Sequence, residues 1–246
     1  ENMSKVTKLI ALLLLFAFVL SACGGNDAAN NDSNNNNEVE PKEEPTEEPT
    51  EPPPPPTTEG IEGAYSVLGT NPDGSEYVGT LDVSASSDGF VWAWDFDGYP
   101  YDGVGLQQEG IVSVAWGGEE CYDVSYVVGD DGILSGIWTD MWLSGFGTDV
   151  ATPTDEMGEG LEGTYTIAGT NFDGSEYTCS LDVTKNGDVY DWNWYDCGEF
   201  TGVGIQEGNV VSVSYGSENC SAISYVIEED GTLNGTWVYV GTTDLG

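Results

Sequence analysis

From residue 61 onward the sequence is written twice, and within each copy apolar and polar residues alternate with a period of two. Together these two properties restrict the fold to paired units built from short β-strands. Ile61-Glu62-Gly63-Ala64-Tyr65 returns as Leu161-Glu162-Gly163-Thr164-Tyr165, and Leu81-Asp82-Val83 as Leu181-Asp182-Val183. The run from Gly69 to Tyr77 returns from Gly169 to Tyr177 with one change, Pro72 to Phe172. After a one-residue slip near Pro100, Gly103-Val104-Gly105 answers to Gly202-Val203-Gly204, Cys121 to Cys220, Ser125-Tyr126-Val127 to Ser224-Tyr225-Val226, and Gly136-Ile137-Trp138 to Gly235-Thr236-Trp237. A unit of this length can bury its own core, so the sequence predicts two tandem domains, residues 61–153 and 154–246.

The alternation identifies the strands. Tyr77, Gly79, Leu81 and Val83 form one inward-facing set, Phe90, Trp92 and Trp94 the next, followed by Val112/Val114/Trp116, Tyr122/Val124/Tyr126/Val128 and Leu134/Gly136/Trp138. Turn residues separate them at Pro72-Asp73-Gly74, Ser87-Asp88-Gly89, Glu109-Gly110 and Asp131-Gly132. No helical stripe follows residue 22. The expected fold is all-β, with seven or eight antiparallel strands per unit in a meander that closes into a small barrel, since closure removes exposed edges. A β-sandwich is the alternative.

Ahead of the repeats the chain changes character. Lys5 and Lys8 precede an apolar stretch, Leu9 to Val19, that is too short to span a bilayer but has signal-peptide length, with Met3 read as the start. Leu20-Ser21-Ala22-Cys23 resembles the lipobox of bacterial lipoproteins. That resemblance implies removal of residues 1–22 and acylation of Cys23. Two or three acyl chains hold a protein firmly to a membrane, at about 0.8 kcal/mol per buried methylene. Gly24-Gly25 does not match an inner-membrane retention signal, which points to the outer membrane or cell surface. Residues 23–60 are an Asn/Asp run followed by Glu-Pro-Thr repeats and Pro52 to Pro56. Such a composition cannot bury apolar surface and reads as a disordered, extended tether, reaching on the order of 100 Å at ~3.1 Å per residue.

Charge narrows the function. The chain has 44 acidic residues against 4 basic ones and no His, a formal net charge of −40. With Lys5 and Lys8 assigned to the signal, only Lys42 and Lys185 remain. Such a surface repels nucleic acid and anionic head groups, and lacks the usual general base and the usual anion clamps. The sequence therefore predicts no enzyme and no nucleic-acid partner. Cationic, neutral or protein ligands are favoured.

Three sets of residues carry the candidate sites. With Cys23 assigned to lipid, Cys121, Cys179, Cys197 and Cys220 are left in an oxidising compartment. Cys179 and Cys197 flank the Lys185-Asn186-Gly187 turn and suit a bridge within one hairpin. Pairing Cys121 with Cys220 requires the two units to meet about a pseudo-twofold axis, and two buried free thiols are the other arrangement. No cofactor is expected except calcium, for which Asn71, Asp73 and Glu76 and their counterparts Asn171, Asp173 and Glu176 supply oxygen ligands around a glycine turn; turn geometry alone explains the same residues. The stripes Phe90/Trp92/Trp94 and Tyr190/Trp192/Trp194 offer Trp92, Trp94, Trp192 and Trp194 as stacking surfaces for a sugar or partner, or else as core. A lumen holding one small ligand is a third use of such a barrel.

The Gly69 to Tyr77 run, the Gly103-Val104-Gly105 turn, Cys121, and Asp131-Gly132-Ile133-Leu134-Ser135-Gly136-Ile137-Trp138 resemble the secreted bacterial β-repeat domains labelled fibronectin-binding-like, leptospiral examples among them. The resemblance covers both repeats and implies a β-repeat fold; together with the lipobox and the charge, the expectation is a surface lipoprotein with duplicated, non-catalytic binding modules, adhering to matrix proteins or glycans. An envelope barrel with a structural or small-ligand role is the other expectation, and a calcium-dependent module the third.

Overall fold

The computed structural model describes residues 53, 60–154 and 158–246. The signal segment, Cys23 and nearly all of the tether lie outside the described residues. Fifteen strands follow: β1 Gly63–Thr70, β2 Glu76–Ser86, β3 Gly89–Phe96, β4 Tyr99–Gln108, β5 Ile111–Trp116, β6 Tyr122–Val128, β7 Leu134–Asp140, β8 Gly147–Pro153, β9 Gly163–Thr170, β10 Glu176–Asn186, β11 Val189–Tyr195, β12 Phe200–Glu207, β13 Val210–Gly216, β14 Ser221–Ile227 and β15 Leu233–Tyr239. Every pairing is antiparallel. The β-turn chemistry read from the sequence sits between them. At the first turn, Asp73 Oδ1 accepts the Ser75 backbone N–H at 2.9 Å, and the Gly74 N–H donates to Asn71 O at 2.8 Å.

The strands form two sheets, but not one per repeat. One is a closed eight-stranded barrel in the order β10-β11-β12-β13-β6-β7-β8-β9; the other is a seven-stranded sheet, β1-β2-β3-β4-β5-β14-β15. The tandem division at 153/154 therefore does not bound the folded units. β6, β7 and β8 of the first repeat complete the second repeat's barrel, while β14 and β15 of the second repeat complete the first repeat's sheet. Exchange of this kind costs little when the repeats are homologous, because each strand meets the counterpart of its own neighbour. Trp116 pairs with Ser221 where β5 meets β14, and Tyr215 pairs with Tyr122 where β13 meets β6.

The exchange happens where residues 117–121 and 216–220 cross. Gly117 and Gly216 have φ of +141° and +131°. A Cβ on either would run into backbone of the opposite crossing segment, Asn219 O and Glu120 O respectively. Only glycine permits both the backbone conformation and this approach. Directly beyond the crossing, Cys121 and Cys220 are joined by a disulfide with a Cα–Cα separation of 5.5 Å, and both are fully buried.

Each core mixes the repeats accordingly. Trp92 on β3 stacks on Tyr225 of β14, centroids 5.2 Å apart and planes 2° from parallel, and Trp192 on β11 stacks in the same way on Tyr126 of β6, at 5.3 Å and 5°. The outer faces of β4, β5 and β14 pack against those of β6, β12 and β13. Small residues make that contact, with Ser113, Ser125, Ser212, Ser214 and Ser224 all buried and Val203, Ile205, Ala222 and Val238 among them. Asp123 is caught in this layer and accepts a 2.6 Å hydrogen bond from the Ser113 hydroxyl. Desolvation pushes its carboxyl well above the usual range despite that bond.

Because the core inside each sheet contains side chains of both repeats, thermal unfolding is expected to be one transition, not two. The Cys121–Cys220 bond closes a sequence separation of 99, so a Cys121→Ala/Cys220→Ala protein should lose about 2–5 kcal/mol. Two separated transitions in calorimetry of the oxidised protein would contradict the interlocked arrangement.

Candidate functional site

At one end of each sheet, neighbouring strands carry aromatic rings inward and the rings do not fill the space. In the open sheet they leave a cavity of about 230 Å³ walled by Trp94, Tyr101, Trp116, Tyr225, Trp237 and Tyr239. In the closed barrel a cavity of about 290 Å³ is walled by Tyr122, Trp138, Tyr177, Trp194, Phe200 and Tyr215. The two mouths occupy equivalent places in the repeats: Trp94 corresponds to Trp194, Trp116 to Tyr215 and Trp237 to Trp138. Each is completed by the exchange, since Trp116 and Trp237 come from different repeats, as do Trp138 and Trp194. Edge-to-face packing fixes the walls; Tyr101 and Trp116 meet at 88° and Trp237 and Tyr239 at 89°.

The structure divides the four tryptophans singled out in the sequence. Trp92 and Trp192 have no exposed surface and serve as core, which removes them as stacking surfaces for a ligand. Their period-two neighbours Trp94 and Trp194 lie two residues nearer the mouth and reach the cavities, stacked on Trp92 and Trp192 at 5.6 and 5.7 Å. Accessible rings are instead found on residues that the stripes did not include. Tyr101 and Phe200 face each other's positions across the pseudo-symmetry at 40% and 38% exposure.

The paired acidic loops also take a different role. Asp73 Oδ1 accepts both the Ser75 hydroxyl at 2.6 Å and its N–H at 2.9 Å, and Asp173 does the same with Ser175. Asn71 and Asn171 donate to Ser75 and Ser175 Oγ at 3.0 Å. These hydrogen bonds hold the Asp73 and Asp173 carboxyls below the ordinary value. Glu76 and Glu176 are exposed strand-end residues. Asn71, Asp73, Asn171 and Asp173 therefore build turns, and among the described residues no three acidic or sulfur side chains converge on a point that would hold a metal ion. Asn71 and Asn171 do face the cavities, as polar groups on otherwise aromatic walls. Cys179 and Cys197 are disulfide-bonded across one hairpin, 5.2 Å between Cα atoms, on the rim of the closed barrel's mouth.

One residue that sequence reasoning did not single out lies at the base of that mouth. Asp149 on β8 is buried, and its carboxylate accepts the Tyr126 hydroxyl at 2.8 Å and the Tyr177 hydroxyl. Gly136 and Gly169, directly opposite Asp149 in the two neighbouring strands, leave room for the Tyr126 and Tyr177 rings to lie across the backbone. Burial outweighs the two hydrogen bonds and raises the carboxyl to about 6. A short segment of one strand, Gly147-Thr148-Asp149-Val150, gave no alternation long enough to place that side chain inward.

This raised carboxyl has a definite effect on stability. Between the unfolded value of 3.8 and the folded value of about 6 the native state binds the extra proton. Stability therefore rises as pH falls through 6 towards 4, and the contribution is absent above that window. Asp123 adds in the same direction. Asp149→Asn should flatten the pH 4–7 stability profile by on the order of 2–3 kcal/mol. Chemical denaturation across that range checks it; an unchanged profile would mean that Asp149 is ionised throughout.

No family model, no curated protein and no solved structure matches this chain. The two mouths therefore stand as the site on their geometry alone.

Proposed function

We propose that the protein is a non-catalytic binding protein of the bacterial cell envelope, lipid-anchored through Cys23 and carried on the Asn/Glu/Pro/Thr tether, and that the aromatic mouths hold its ligand. The single observation that carries this reading is the occurrence of the mouth twice, at equivalent positions, with accessible rings and only a few polar groups at each. Flat aromatic walls with sparse hydrogen-bonding groups suit a neutral ring, such as a sugar unit of a glycan. The acidic surface acts in the same direction by disfavouring anionic ligands. Two mouths on one chain add avidity for a repeating ligand without any new contact. The fibronectin-binding-like resemblance is compatible with adhesion to a matrix protein, whose side chains would engage the same rings.

A glycan array and a matrix-protein panel test this. Tyr101→Ala, Trp116→Ala and Phe200→Ala, each checked for native fold by near-ultraviolet circular dichroism, should weaken any hit about tenfold or more, the scale of a buried aromatic anchor. Binding that survives all three substitutions would place the ligand elsewhere. Silence of the native protein across both panels would overturn the reading.

For the anchor, Cys23→Ala should abolish fatty-acid labelling and release the protein from the membrane fraction. Unchanged labelling of the variant would refute lipidation at that residue.

A further inference from the structure

All eight strands of the closed barrel contribute a side chain to its mouth. Going round, β10 supplies Tyr177, β11 Trp194, β12 Phe200, β13 Tyr215, β6 Tyr122 and β7 Trp138; β8 then supplies Asp149 and β9 Ile167. The rings are continuous from strand to strand. Tyr122 and Tyr215 stack at 4.9 Å and 13°, Trp194 and Phe200 close on Tyr215 at 4.9 and 5.9 Å, and Tyr122 and Tyr177 each lie 6.4 Å from Trp138. Rings from six consecutive strands therefore enclose the cavity of about 290 Å³, and its base is a carboxylate.

No positive group answers that carboxylate. Each Asp149 oxygen accepts a tyrosine hydroxyl, which fixes its position and leaves its charge uncancelled. Among the described residues the one basic side chain, Lys185, lies towards the far end of β10 and is bonded to Glu159 at 2.6 Å. The negative field reaches the cavity wall. The Tyr215 hydroxyl is pushed well above its ordinary value by burial first and by Asp149 next, with Tyr122, Asp123 and Asp140 adding to it. Aromatic faces attract cations as a carboxylate does, so the walls and the base favour the same sign of charge. A methylated ammonium fits such walls better than a primary one, because it brings no N–H groups that must give up water on entry.

We propose that the mouth of the closed barrel is an aromatic cage for an organic cation, a ligand that leads with a methylated ammonium group and seats it among the rings above Asp149. The inference rests on the reading that the mouths hold the ligand, and it gives the ligand of this mouth a positive charge that a plain sugar ring lacks. The rings supply contact with the methyl groups, and Asp149 supplies the selection for charge. Attraction by the acidic surface concentrates cations near the opening.

The test titrates the native, disulfide-bonded protein in a calorimeter well above pH 6, where Asp149 is ionised. The probes are choline, ethanolamine, and dimethylbutanol, the uncharged carbon isostere of choline. Choline should bind about tenfold more tightly than either of the others. Asp149→Asn should bring choline down to the level of dimethylbutanol, and Phe200→Ala should weaken choline binding, each variant being checked for native fold by near-ultraviolet circular dichroism. The comparison of the three probes on the native protein needs no variant and decides the matter if Asp149→Asn does not fold. Equal affinity for choline and dimethylbutanol would overturn the charge and leave the mouth to a neutral ligand. Ethanolamine binding as tightly as choline would overturn the methylated class. Choline binding that survives both substitutions in folded protein, or silence towards all three probes, would overturn the cage. Silence here alongside a glycan or matrix-protein hit that Phe200→Ala abolishes would sink the cation and keep the mouth.

Discussion

The crossing of residues 117–121 with residues 216–220 determines the rest of this molecule. Each segment has a glycine where the other's backbone passes, and the Cys121–Cys220 bond holds the pair together directly beyond that contact. Given the crossing, β6 can only continue into the second repeat's barrel and β14 into the first repeat's sheet. The stacked pairs Trp92–Tyr225 and Trp192–Tyr126, the serine layer between the sheets and both aromatic mouths then follow. The protein is one cooperative structure with two similar halves, and its sites belong to neither repeat alone.

The polar features of the interior follow a consistent pattern. Serine at outward positions of β5, β6, β13 and β14 lets two sheets approach closely, because small side chains add little bulk between backbones. The cost is a set of buried hydroxyls and the carboxyl of Asp123, which burial drives towards its neutral form. Asp149 is treated differently. Two tyrosine hydroxyls converge on it, and the glycines that let the rings lie flat are opposite it in the adjoining strands. It fixes β8 within the barrel and forms the polar base of a mouth that is otherwise aromatic.

Much of the fold was legible in the sequence because period-two alternation depends only on which side of a strand faces inward. That reading located the strands from Tyr77 to Trp138 and the all-β class. The strand exchange left almost no trace, since exchanged and unexchanged chains place homologous partners opposite one another; Trp116 facing Ser221 or Tyr122 satisfies the same alternation. The cysteine pair and the flanking glycines were the available signal, and the former was read correctly only as a condition on symmetry. Alternation alone does not tell that the outward serines Ser113 and Ser125 face a second sheet rather than solvent. It could not separate Trp92 from Trp94, because two residues along one strand decide between the core and the mouth. The acidic loops stayed ambiguous in the sequence because calcium sites and tight turns use the same side chains.

The edge position of β1 has a mechanical consequence. A load applied at Gly60 reaches β1 first, and among the described residues that strand is bonded to the body along one ladder only. Peeling its eight residues would release roughly 27 Å of chain before any other strand is disturbed. Further extension must strip β2 to β5 before it meets the disulfide, and the segment between Cys121 and Cys220 cannot lengthen while that bond stands. The molecule therefore has a short yielding element in series with a covalently limited one, so that under shear the closed barrel keeps its shape after the first strand has given way.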